Sequence, residues 1–243
     1  MKKIVGVIPA RLESVRLPRK MLRAVGGKPL VQWTYENACK SKTLDEVIVA
    51  CDSKEVEAAV KAFGGKVRMT RADHPSGTSR ISEIAEDTEA GIWINIQGDE
   101  PLLDVGVIDS LAGAFADPDV EMATAAVKKT DEEEFRNPNV VKLVKDGRGF
   151  ALFFSRASVP YSRDGLFRGF WKHLGIYAYR RDFLTKTWKN LKPSALEETE
   201  KLEQLRVLEN GHRIKVVEGR KDSVGIDTEE DLREFEKIIS RSA

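Results

Sequence analysis

Cysteine is scarce in this chain: Cys39 and Cys51 are the only two in 243 residues. Neither C-x-x-C nor metal-ligand spacing links them. That excludes a disulfide framework or zinc cluster and reads as free thiols in a reducing, cytoplasmic compartment. No apolar run approaches 18 residues, so no transmembrane helix is expected. An excess of one charge is also lacking. Lys+Arg number 40 against 39 Asp+Glu, a net charge of +1 that argues against a general nucleic-acid binder. The chain has no G-x-x-x-x-G-K-[ST] cradle and no G-x-G-x-x-G after a strand, which removes the P-loop kinase and ordinary Rossmann readings. Repeats, low-complexity segments and a Pro/Gly/Ser-rich linker are absent, so residues 1–243 read as a single domain. Lys2-Lys3 before an apolar stretch mimics a signal peptide, but Pro9 interrupts the stretch and Arg11 ends it.

What is present is an alternation of apolar strand-like runs with helix-period segments. Strands are expected at Ile4–Ile8, Val47–Ala50, Val67–Met69, Trp93–Ile96 and Met122–Val127. Helices fall between them, one opened by an Asp52/Glu55 capping box and stopped at Gly64-Gly65. This order predicts an α/β fold with a mostly parallel sheet. From about 140 to 190 the pattern turns antiparallel and reads as a subsidiary lobe. Val140–Val144 and Phe150–Ser155 form a hairpin across Asp146-Gly147, and His173–Tyr179 is a further strand. Ser194–Asn210 reads as one helix closed by Gly211, and Thr228 with Asp231 caps a last amphipathic helix.

Three places carry chemistry. Residues 1–28 hold eight Lys/Arg (Lys2, Lys3, Arg11, Arg16, Arg19, Lys20, Arg23, Lys28) against one acid, Glu13. A cationic loop after a buried parallel strand suits a polyphosphate, though a solvated basic loop reads equally well. Asp99, in Gln97-Gly98-Asp99-Glu100-Pro101, is either a turn residue or a ligand for Mg²⁺ just beyond a buried strand. Asp227 either caps the last helix or joins Asp99 on one metal. Taken together, the three form a set suited to nucleotidyl transfer. Phe153, Phe154, Trp171 and Trp188 read as packing or dimer-contact residues.

Ile8-Pro9-Ala10-Arg11 with Ser14, Arg16-Leu17-Pro18 and Lys20 resembles the opening motif of the CMP-Kdo synthetases (3-deoxy-manno-octulosonate cytidylyltransferases). So do Arg71-Ala72-Asp73-His74 with Ser76-Gly77-Thr78, and Asn95 through Pro101. Ala151 through Arg156, His173 through Tyr177, Leu202 through Arg206, and Gly225 through Thr228 continue the match in order. The resemblance implies a Rossmann-like sheet of the GT-A-like nucleotidyltransferase type and, usually, a homodimer. It implies CTP and Kdo giving CMP-Kdo and pyrophosphate with Mg²⁺, which activates Kdo for lipopolysaccharide synthesis. By motif, Arg11, Arg16 and Lys20 would hold the CTP phosphates, with Arg11 and Lys20 acting in catalysis. Asp99 and Asp227 would hold the metal. Ala10, Arg71, Ser76, Gly77 and Gln97 would line the cytidine pocket. Arg156, His173, Tyr177, Glu203 and Gln204 would face the sugar acid. His173 and Tyr177, four residues apart on a strand, would lie about 13 Å apart on one face.

Arg19 and Met21 stand where the family commonly has Gly and Pro, and Ser79 where an acid is usual. Other readings are a cytidylyltransferase for an 8-modified Kdo, a CMP-sialate synthetase, and a nucleotide-binding regulator without turnover. Arg16-Leu17-Pro18 argues against the sialate enzyme, and the two aspartates argue against the regulator.

Overall fold

The computed structural model describes residues 3–242; Lys2 of the basic cluster lies outside them. The chain opens with β1 (Ile4–Ala10), a short ribbon of β2 (Ala24–Val25) and β3 (Lys28–Pro29), and helix α1 (Leu30–Ala38). Then follow β4 (Glu46–Cys51), α2 (Lys54–Ala62), β5 (Val67–Met69), α3 (Gly77–Asp87), β6 (Ile92–Asn95), α4 (Val105–Ala114) and β7 (Met122–Lys129). After α5 (Glu132–Arg136) come β8 (Lys142–Lys145), β9 (Ala151–Ser155) and β10 (Phe170–Arg180). The remaining elements, after a π-helical turn at Phe183–Thr187, are α6 (Trp188–Asn190), α7 (Ala195–Glu200), α8 (Gln204–Glu209), β11 (Ile214–Glu218) and α9 (Glu229–Ser242).

The main sheet runs β11-β7-β10-β6-β1-β4-β5. β5, β4, β1 and β6 are mutually parallel, and β11 is parallel to β7. Only β10 is reversed, between β6 and β7. The fold is therefore α/β with a mostly parallel sheet, as the alternation predicts. β8 pairs with both β9 and β10, so the antiparallel strands are continuous with the main sheet.

Both faces of the sheet are covered, which is why the parallel strands are nearly all apolar. Ile8, Val49 and Ile94 turn toward Leu30, Val56, Ile108 and Phe235 of the helices on one face. Val5, Val7 and Trp93 turn to the other face, against Ile81, Ile84, Phe183 and Leu205. Strand alternation sorts the two sets.

Three local expectations change. Ser53, not Asp52, caps α2, accepting from the Glu55 amide. The expected Ser194–Asn210 helix is two short helices, because Lys201 adopts a left-handed conformation at φ 52°. The hairpin turn is longer than Asp146-Gly147. The Asp146 carboxylate accepts from the Arg148 and Phe150 amides, and Gly149 supplies the positive φ of 76°.

Candidate active site

In open α/β sheets ligands bind beyond the carboxyl ends of the parallel strands. Here a cleft of about 430 Å³ opens there, lined among others by Arg11, Lys20, Asp99, Gly77, Tyr177 and Glu203. Because β10 is reversed, its early residues reach the same edge.

The basic loop is tied down at its start. Asp52, after β4, accepts from the Leu12 amide and from the wholly buried Arg80 guanidinium. Arg11 donates to the His74 carbonyl at 2.7 Å. Lys20 opens a 3₁₀ turn over 20–22, and its Nζ lies 2.5 Å from Asp99 Oδ2 and 2.9 Å from Asp227 Oδ1. One ammonium thus touches two carboxylates 128 positions apart in sequence. Burial disfavours its charge, but the Asp99 and Asp227 carboxylates hold its pKa above the ordinary lysine value. Arg16 reaches Asp227 Oδ2 at 2.9 Å. The Ile226 amide donates to the Asp99 carbonyl, fastening the Asp227 segment to the end of β6. Asp227 does not itself cap α9. Thr228 and Asp231 cap each other's amides, and Asp231 also accepts from the Asp227 amide.

The nucleotide-side residues are placed as follows. Ala10 ends β1, wholly buried. Ser76 caps α3, its hydroxyl accepting from the Ser79 amide. Ser79 replaces the usual acid without dissolving that cap. Gly77 brings the helix start so close that an added Cβ would lie 3.2 Å from the Pro9 ring. Gln97 Nε2 donates to the Gly175 carbonyl. Arg71 is exposed, beside Asp73, and lines a neighbouring cavity that shares Ser76 and Glu203 with the cleft.

On the acceptor side, Glu203 accepts from Thr78 Oγ1 at 2.5 Å, and Tyr177 faces the cleft. Gln204 is buried, and its Nε2 meets no partner among the described residues. His173 is half-buried, with Nε2 3.0 Å from Thr124 Oγ1 and its ring against Phe154 and Tyr177. Burial pushes its imidazole down to about 3, so it is neutral at physiological pH. The His173 and Tyr177 rings are 5.4 Å apart rather than far apart along the strand. The register shifts between Leu174 and Tyr177, so four steps on β10 span only two on β7 and the rings close together. Arg156 does not line the cleft. Its guanidinium donates to the Glu200 and Pro138 carbonyls.

The expected set omits Pro9, Glu13, Ser14, Met21, Thr78, Asn95 and Gly98, which also line the cleft. Asn95 was legible as the polar end of an apolar strand. Gly98 has a steric reason: an added Cβ would stand 3.0 Å from the Pro9 carbonyl and 2.9 Å from Met21 Sδ. Glu100, beside Asp99, is buried deeply enough to lift its carboxyl to about 7.

Residues 5–214 match the cytidylyltransferase family profile. The 3-deoxy-manno-octulosonate cytidylyltransferase of Solibacter usitatus is 46% identical over 243 residues, spanning 99% of this chain and 96% of its own. That of Vibrio parahaemolyticus is 46% identical over 248 residues, spanning 98% of each. The structure of CMP:2-keto-3-deoxy-manno-octonic acid synthetase complexed with CTP superposes with a TM-score of 0.95 at 42% identity, covering 99% of this chain and all of that one. A 4-diphosphocytidyl-2C-methyl-D-erythritol synthase from Anaerococcus prevotii, at 17% identity and a TM-score of 0.65, shares the fold. With its motifs in order along nearly the whole chain, this protein belongs to the 3-deoxy-manno-octulosonate cytidylyltransferase family.

Proposed function

We propose that this protein joins CTP and Kdo to give CMP-Kdo and pyrophosphate, with Mg²⁺. The observation that carries the reading is the single ammonium of Lys20, a cleft residue, bridging Asp99 and Asp227. Two hard-oxygen carboxylates that already gather around a cation suit a divalent metal, and Mg²⁺ characteristically takes one or two protein carboxylates plus substrate phosphates and water. Bound by Asp99 and Asp227, Mg²⁺ would neutralise charge on the α-phosphate.

The chain's own groups do the rest. With nucleotide present, Lys20 and Arg16 have phosphate oxygens as new partners and stabilise the leaving pyrophosphate. Gly77 and Ser76 present the start of α3 to the nucleotide side. Glu203, held by Thr78, and Tyr177 orient the sugar acid. The anomeric hydroxyl oxygen of Kdo forms the new bond to the α-phosphorus, the bond from that phosphorus to the bridging oxygen breaks to release pyrophosphate, and the hydroxyl proton passes to solvent. His173, being neutral, serves as a hydrogen-bonding group rather than as a cation for the Kdo carboxylate.

Two further features belong to the same reading. A homodimer is supported by exposed Leu152, Tyr161 and Leu166, all within the β9 strand and the segment after it. A cytoplasmic location is supported by two free thiols, Cys39 and Cys51. The test of the activity is pyrophosphate release with CTP, Mg²⁺ and Kdo, run beside N-acetylneuraminate and an 8-amino Kdo. Release with Kdo well above the other acceptors supports the reading. Release with none rejects it, and preference for another acceptor transfers the enzyme to that substrate.

A further inference from the structure

The stretch that leads into Ile226 and Asp227 has few anchors of its own. Between Gly219, whose amide donates to the Ala126 carbonyl, and Ile226, whose amide donates to the Asp99 carbonyl, residues 220–225 include none that is buried. Val224 in the middle is 68% exposed, so apolar packing does not fix this stretch. What holds it is ionic. Asp222 Oδ2 lies 2.8 Å from Lys129 Nζ at the end of β7 and 2.8 Å from Lys172 Nζ on β10. Glu134 of α5 lies 3.0 Å from the Lys129 ammonium and 3.6 Å from that of Lys172. The Asp222 side chain is only 22% exposed, and those of the two lysines 24% and 16%.

We propose that Asp222, gripped by Lys129 and Lys172, is a positioning residue that holds the 220–227 segment so that Asp227 meets Asp99. The inference rests on the metal-dependent reading above. It concerns a carboxylate that pairs with Lys129 and Lys172 and acts through the loop five residues ahead of Asp227. Groups that orient metal ligands typically change metal affinity 10- to 100-fold when removed.

The test uses the full chain with Mn²⁺ as probe and saturating CTP without acceptor, so that no turnover occurs; free Mn²⁺ is counted by electron paramagnetic resonance. Asp222→Asn is expected to raise the Mn²⁺ Kd about tenfold. Lys172→Met, which keeps the apolar stem, is expected to move it in the same direction, and the double variant to add little more. In steady state the Mg²⁺ needed for half-maximal turnover rises while the KM for Kdo stays put. A lower Tm with unchanged Mn²⁺ affinity in both single variants overturns the proposal, since a merely structural brace would behave so. Because the binding arm contains no acceptor, its result is independent of whether Kdo is the substrate, which the pyrophosphate assay decides separately.

Discussion

Arg19 shows how a single backbone angle sets sequence against family pattern. Its φ of 56° lies in the left-handed region, which costs an L side chain about 1–2 kcal/mol and glycine nothing. The glycine common at this place in similar sequences therefore has a physical reason, and the motif register around Lys20 is the expected one. The exposed pair that Arg19 makes with Glu55 recovers little. Arg19→Gly is expected to stabilise the fold by about 0.5–1 kcal/mol after glycine's own entropy is counted, with kcat within about twofold. A thermal melt in which Tm falls would contradict this. His173 supplies a second prediction. Its folded pKa of about 3 lies below the ordinary 6.5, so below pH 6.5 the unfolded chain takes up a proton that the folded chain refuses. The stability this group contributes is full above pH 6.5 and is lost as pH falls toward 3, at up to about 1.4 kcal/mol per pH unit. NMR should find the His173 ring still neutral at pH 5; titration of that ring near 6.5 would reject its packing against Phe154 and Tyr177.

At the scale of elements, the strands were legible because both-face burial writes itself as runs such as Ile4–Ile8 and Trp93–Ile96. The breaks were not. Lys201 ends α7 without a glycine or proline to announce it, and the β10 register shift leaves no mark on the alternation of His173 and Tyr177. Both depend on tertiary pairing, which local pattern cannot encode. The α9 cap was legible from Thr228 and Asp231. What the spacing did not reveal is that Asp231 also accepts from the Asp227 amide at 3.0 Å, so one side chain both starts the helix and orients Asp227. Asp231→Ala is therefore expected to cost about 1 kcal/mol of stability, seen as a lower Tm. It should also raise the Mg²⁺ requirement. A Tm loss with an unchanged Mg²⁺ dependence would leave the residue as a helix cap alone.

At the scale of the whole molecule, the site is built from the ends of strands far apart in sequence. Composition located the cationic loop and the two aspartates, and the motif resemblance implied that they meet; what brings them together is the sheet order that places β6 beside β1 and the bond that ties Ile226 to Asp99. Arg156 shows the reverse: its motif was plain, yet its guanidinium serves two backbone carbonyls away from the cleft. The central claim is that Asp99 and Asp227 act on one metal as a unit. The most direct test is kcat for pyrophosphate release by Asp99→Asn, Asp227→Asn and the double variant at saturating CTP, Kdo and Mg²⁺. Each single change should lower kcat roughly a hundredfold or more, and the double variant should fall little further, because the first loss already removes the shared function. Near-wild-type turnover in either single variant, or losses that multiply in the double, would contradict the account.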